Sequence, residues 1–137
     1  MPLDIRRVDY YNLTVQEHVA EGSAMLGAIV GAGVDFLAYK AAPLGPARTR
    51  FTLFPIDGSK LVDGAAKAGL AVDGPHPAVL IVGDEQPGAL ADIYGKLAQA
   101  GICVEESCGI AHINGGYGVV LYLRPEDCDR ATATLSS

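Results

Sequence analysis

No apolar run in this chain is longer than a strand, its ten lysines and arginines are scattered, and its three cysteines follow no metal or redox spacing. Each absence excludes something. Without a long apolar segment, and with only Met1-Pro2-Leu3-Asp4-Ile5-Arg6-Arg7 at the start, neither a membrane span nor a secretory leader is expected. A net charge of −6 and no basic cluster work against a nucleic-acid partner, because counterion release needs grouped Lys and Arg. Cys103, Cys108 and Cys128 cannot pair completely and contain no CxxC, so they read as reduced thiols of a cytoplasmic protein.

Catalytic signatures are missing as well. Ser107-Cys108 has no base at a motif distance, there is no GxSxG, and Gly31-Ala32-Gly33 ends a helical pattern, whereas phosphate-cradling glycines precede one. Glu105 and Glu106 are neighbours on an expected strand and so point to opposite faces. His18, His76 and His112 lack the spacing of a zinc site. The expectation is a protein that is not an enzyme and holds no metal or cofactor.

What is present is apolar substance, half of 137 residues, enough for one ordinary domain or two small ones. Tyr10 to Val15 alternates as a half-buried strand. Val19 to Ala32 carries Met25, Leu26 and Ile29 at helical spacing, with Gly31 and Gly33 as its stop. Asp35 to Ala42 is a strand, Pro43-Leu44-Gly45-Pro46 a turn, and Arg48 to Phe54 a strand. Lys60 to Ala68 is a helix, and Leu70-Ala71-Val72 a short strand before Gly74-Pro75. The order is β-α-β-β-α-β.

The second half repeats it. Val79 to Val82 is a strand and Pro87 to Ala100 a helix with a stripe at Leu90, Ile93, Tyr94 and Leu97. Ile102 to Ile113 is a strand, Asn114-Gly115-Gly116 a hairpin turn, Tyr117 to Leu123 a strand, and Pro125 opens a last helix. Laying Gly33 on Gly101 superimposes the halves without a gap: Glu17 falls on Glu85, Gly27 on Gly95, Leu53 on Leu121. The predicted fold is α+β, two tandem ferredoxin-like βαββαβ modules with antiparallel sheets and helices on one face, over residues 8–74 and 76–137. A fourth strand of the second module would have to come after Ser137, so the chain either ends too soon for one or borrows that edge elsewhere. Cys103 and Cys108, an odd number of residues apart on one expected strand, face opposite sides and cannot bond there. Val79-Leu80-Ile81-Val82 and Val119-Val120-Leu121-Tyr122-Leu123 are apolar on both faces, so both are expected buried, through packed modules or a face-to-face homodimer.

Three stretches resemble the ACT domain family of small ligand-binding regulatory modules, in its stand-alone form with two tandem repeats. They are Val82-Gly83-Asp84-Glu85-Gln86-Pro87-Gly88-Ala89-Leu90, Leu97-Ala98-Gln99-Ala100-Gly101-Ile102, and Tyr117-Gly118 with Arg124-Pro125-Glu126-Asp127. The likeness runs from about Val8 to Leu135. It implies a small-molecule effector, an amino acid, held at the interface of the two repeats. The turn would contribute Asp84, Glu85, Gln86, Gly88 and Ala89, and the first repeat Asp35 and Phe36. The N–H groups of Gly88 and Ala89 would hold the ligand carboxylate, and Asp35 or Asp84 its ammonium. The first repeat departs from the pattern, with Val19 and Ala20 where Pro87 and Gly88 stand, so one working site per chain is expected. Regulation implies a homodimer or a partner enzyme. The alternatives are a dimerisation scaffold with a vestigial site and a small α+β enzyme.

Overall fold

The computed structural model describes residues 3–16, 19–84 and 88–137, with only the backbone described at 19 and 20. It holds six antiparallel strands and four helices: β1 (Asp4–Gln16), α1 (Val19–Gly31), β2 (Phe36–Pro43), β3 (Arg48–Pro55), α2 (Gly58–Lys67), β4 (Asp73–Gly83), α3 (Ala89–Gln99), β5 (Glu106–Ala111), β6 (Tyr117–Tyr122) and α4 (Pro125–Ser136). The fold class agrees with the expectation. The chain divides into two compact units, one of residues 9–76 and the other of residues 77–137 together with the first eight.

In the 9–76 unit the strand order is β2-β3-β1-β4, with β1 and β3 antiparallel in the register Leu13 to Phe51. Leu13, Val15, Met25, Ile29, Leu53 and Leu61 form its core, because alternate β1 positions and one stripe of each helix face the same space. Helices α1 and α2 approach closely where a Cβ on Gly64 would come within 2.6 Å of the Ala32 Cβ, so only glycine fits there. Asp57 caps α2, accepting the Ser59 N–H at 3.0 Å.

The fourth strand of this unit corrects the sequence reading. Leu70-Ala71-Val72 lies outside any strand, and β4 starts at Asp73 and continues through Gly74-Pro75, taken from sequence as a break. Gly74 serves close approach here rather than a turn: its φ is 148°, and a Cβ would lie 2.8 Å from the Tyr10 carbonyl oxygen.

In the second unit the order is β1-β4-β6-β5, with β4 and β6 antiparallel in the register Ile81 to Val119. The edge missing from the C-terminal half is supplied by the first residues of β1, and Ile5 packs against the core of Val79, Ile81, Ile93, Leu97, Leu121 and Leu135. The sequence reading began β1 at Tyr10 and so did not see this strand. On the sheet face turned from the helices, Val120 and Tyr122 are buried as expected, but Val82 is 46% exposed. Both-sided burial therefore holds for β6 and fails at the end of β4.

A buried carboxylate ties the last helix to α3. Asp127, 3% exposed, accepts from Arg130 and from Arg124, both at 3.1 Å, while Arg130 also donates to the Ala100 carbonyl at 2.6 Å. That carbonyl is one of the acceptors left over at the C-terminal end of α3. The Arg130 hydrogen bond, followed by that from Arg124, holds the Asp127 carboxyl below its ordinary value of 3.8, against the opposing effect of burial. A carboxyl with a lowered folded-state pKa adds stability above its unfolded pKa, and loses it as pH falls through the folded value. Asp127→Asn is therefore expected to lower the urea midpoint at pH 7 and to flatten its decline below about pH 4. A pH series of urea titrations measures this, and parallel acid limbs in the two proteins would contradict it.

Candidate functional site

Helix α3 begins at Ala89, later than the Pro87 start read from sequence, and Gly88 is its N-cap with φ 80° and ψ 6°. That left-handed conformation is the reason for glycine, and a Cβ there would meet nothing within 4 Å, so the position borders open space. Among the described residues no side chain caps this end, and the Asp92 N–H makes a helical bond to the Gly88 carbonyl at 2.9 Å. The N–H groups of Ala89, Leu90 and Ala91 precede that bond and point out of the helix end.

The α3 stripe is buried only in part. Ile93 and Leu97 are 3% and 1% exposed, but Leu90 and Tyr94 are 54% and 39% exposed, against the expectation that all four face the core. The cause lies in the edge strand. Alternate residues of β5 turned toward the helices are Ser107, Gly109 and Ala111, paired with Leu121, Val119 and Tyr117 of β6. Such small side chains do not fill the space beside the first turn of α3. A cavity of about 460 Å³ remains, lined by residues 88–91, 107–111 and 117–119. Ser107 is held at one end, its hydroxyl 2.5 Å from that of Tyr94.

Asp84 is exposed and lines an adjoining cavity of about 660 Å³, which shares Ile110, Ala111, Tyr117 and Gly118 with the first. Asp84, Gly88 and Ala89 thus belong to one unit, with Asp84 on one cavity and Gly88 and Ala89 on the other. Glu85 and Gln86, with Pro87, lie outside the described residues. Asp35 and Phe36 belong to the other unit. There the Asp35 carbonyl accepts the Ile56 N–H at 2.8 Å, its side chain is exposed, and Phe36 packs half-buried against its own core. Gly109 and Ala111 were not singled out from sequence, Ser107 was weighed only as a catalytic residue beside Cys108, and Tyr117 entered only through the family resemblance. The signal was there in the small residues at alternate positions of an otherwise apolar strand.

The first repeat differs at the corresponding turn. Its counterpart of Ala89 is Glu21, whose carboxylate accepts the Gln16 N–H at 2.8 Å. A carboxylate of the chain itself is therefore held beside the start of α1. In the second repeat the corresponding residues are Asp84 and Ala89, and alanine supplies no such group. Glu17 and His18 of this turn, like the side chains of Val19 and Ala20, lie outside what is described.

Other candidates disperse. Cys103 precedes β5 rather than sharing it with Cys108, because the chain leaving Gly101 first bonds to β6 through the Glu105 N–H and the strand begins at Glu106. Both are exposed, while Cys128 is buried, and burial pushes its thiol pKa up. His112 Nδ1 accepts the Asn114 N–H at 3.1 Å within the hairpin turn, and His76 stacks on Tyr10 at 5.2 Å. Among the described residues no three His, Cys, Asp or Glu converge as a metal site, and no helix is long and apolar enough to cross a membrane.

Solved structures share this architecture. A protein from Bacteroides thetaiotaomicron, BT0572, superimposes with a TM-score of 0.81 at 19% identity, over 96% of this chain and 88% of its own. The ligand-free regulatory subunit of aspartate kinase from Thermus thermophilus does so with a TM-score of 0.65 at 13% identity, over 98% and 95%. The chain has the tandem ACT fold. A structure of aspartokinase α and β subunits has the same ACT arrangement, with a TM-score of 0.64 at 16% identity over 98% of this chain and 95% of that one. No protein-family model matches the sequence, and no curated protein does. At these identities the likeness is one of fold.

Proposed function

We propose that this protein is a regulatory ACT protein that binds an amino acid through the turn before α3 and works by association, without catalysis of its own. The observation that carries this reading is the cavity of about 460 Å³ beside the N-terminus of α3, which no described side chain caps. Its size lies in the range of about 300–1,000 Å³ usual for small-molecule sites. A carboxylate is the anion an amino acid offers, and N–H groups at a helix N-terminus favour it through both hydrogen bonding and the helix dipole. Asp84 is the nearby acid for the ammonium, with Glu85 and Gln86 in the same turn.

The contribution of Asp35 and Phe36, and so of the interface between the repeats, rests on the family resemblance alone. So do a cytoplasmic location and a partner enzyme. A homodimer is supported by β5, an edge strand exposed at all six residues, since an unpaired strand edge is a template for another chain. A ligand biases such an association only through its differential affinity for the two states.

Melting the protein with each common amino acid in turn tests the proposal. One of them is expected to raise the midpoint, since ligand at a hundredfold its Kd adds about 2.7 kcal/mol. Asp35→Ala is expected to weaken the response. The absence of a shift with every amino acid would remove the proposal.

A further inference from the structure

We infer that β2 of one copy pairs antiparallel with β5 of a second copy, with Tyr39 laid over Gly109. This rests on the reading of a protein that works by association and names the surfaces it uses; amino-acid binding plays no part in it. Both strands are edges, β2 bonded to β3 and β5 to β6, each the last strand in the order of its unit. The Leu44 N–H donates to the Arg48 carbonyl at 2.8 Å, and the His112 N–H to the Gly116 carbonyl at 2.9 Å. Alternation from these two bonds turns the backbone groups of Lys40 toward β3 and those of Cys108 and Ile110 toward β6. The N–H and C=O groups of Tyr39 and Ala41 on β2, and of Ser107, Gly109 and Ala111 on β5, then point outward from the edges. Such a row is a template for another strand.

Side-chain size decides which edges meet. Tyr39 pairs with Leu53 and Ala41 with Phe51, so both are turned to the helix side of the sheet, where Tyr39 is 70% exposed. On β5 that side carries Ser107, Gly109 and Ala111. A Cβ on Gly109 would crowd the Gly118 carbonyl oxygen at 3.1 Å, so glycine suits the position and the middle of this edge is bare backbone. An aromatic ring on a neighbouring strand covers such an edge glycine. Two β5 strands paired together would set small residues against small ones and leave a gap, and two β2 strands would offer Tyr39 no glycine. Pairing β2 with β5 sets large against small. With Tyr39 opposite Gly109, Ala41 falls opposite Ser107; on the other face Ala38 meets Ile110, which is 79% exposed in the single copy, and Lys40 stands opposite Cys108. Each copy brings one edge of each kind, so two copies can satisfy both.

Sedimentation velocity over a concentration series tests the pairing, and a dimer is expected for the native chain. Tyr39→Ala changes an exposed position, so its melting curve should match that of the native chain, while its association weakens on the order of tenfold or more. The register supplies a second readout. Lys40 and Cys108 would form a pair without ladder hydrogen bonds between them, whose Cα spacing lies within disulfide reach. Lys40→Cys incubated with oxidised glutathione is therefore expected to give a dimer linked to the native Cys108. Mass spectrometry of the joined peptides identifies the link, which should vanish when Cys108→Ser is added. Native-strength association in a folded Tyr39→Ala, or a dimer of Lys40→Cys without the link to Cys108, would overturn the inference while leaving association in place. A native dimer joined from Cys108 to Cys108 would overturn it too, because β5 would then meet β5. A monomer at every concentration would remove the inference and the associating part of the proposed function together, while the rise in midpoint with an amino acid reports ligand binding separately.

Discussion

Gly88→Val is expected to abolish the amino-acid response, removing a midpoint rise on the order of 10 °C at a hundredfold excess over Kd. Two effects combine. Valine at φ 80° is a backbone outlier, so the turn either strains or relaxes away from the conformation that aims the α3 N–H groups outward. If the backbone holds, the new Cβ and its methyls occupy the open space at Gly88 through which a carboxylate would approach. The matched control is Gly33→Val. Gly33 has a φ of 84°, also borders open space, and stands at the end of α1 in the other unit. Both variants should lose similar intrinsic stability, about 1–2 kcal/mol from the left-handed backbone alone. Only Gly88→Val should lose ligand stabilisation. Melting curves with and without ligand check the pair, and a retained shift in Gly88→Val, or its loss in Gly33→Val, would contradict the assignment.

Leu97→Ala is expected to cost about 2–5 kcal/mol, the largest loss from a single core truncation on α3, because it removes a fully enclosed side chain and leaves a void. Leu97 is 1% exposed, and its carbonyl accepts the N–H groups of Ala100 at 3.1 Å and Ile102 at 2.9 Å. It is therefore anchor and stop together for the helix that carries the turn. Against a total stability of about 5–15 kcal/mol this is a substantial fraction. Leu90→Ala, on the same helical stripe, should change stability by only about 0.5 kcal/mol without ligand, since Leu90 is 54% exposed. Urea titrations measure both as midpoint shifts. Comparable losses would mean that Leu90 packs as the periodicity alone implies, and that the cavity is closed.

The two leucines show what could and could not be read from the chain. Helical spacing places Leu90, Ile93, Tyr94 and Leu97 on one face, and that much is correct. Whether a residue on the face is buried depends on the surface opposite it. Ile93 and Leu97 meet the apolar residues of β4 and β6, whereas Leu90 and Tyr94 stand over the edge strand, where Gly109 and Ala111 leave space. The site was legible as a turn and illegible as a cavity for the same reason.

Local chemistry was enough for the β-α-β-β-α run that occurs twice, and for the stops at Gly33 and Gly101, both left-handed at φ 84° and 73°. Those features depend on the spacing of apolar residues and on glycine's access to positive φ, which are properties of neighbouring residues. Tertiary structure alone decided that the first residues of β1 complete the C-terminal unit, that β4 runs on through Gly74-Pro75, and that small side chains on β5 face the first turn of α3. Each of these is a pairing between segments distant in the chain, and periodicity records which face of an element is apolar without recording which segment it will meet.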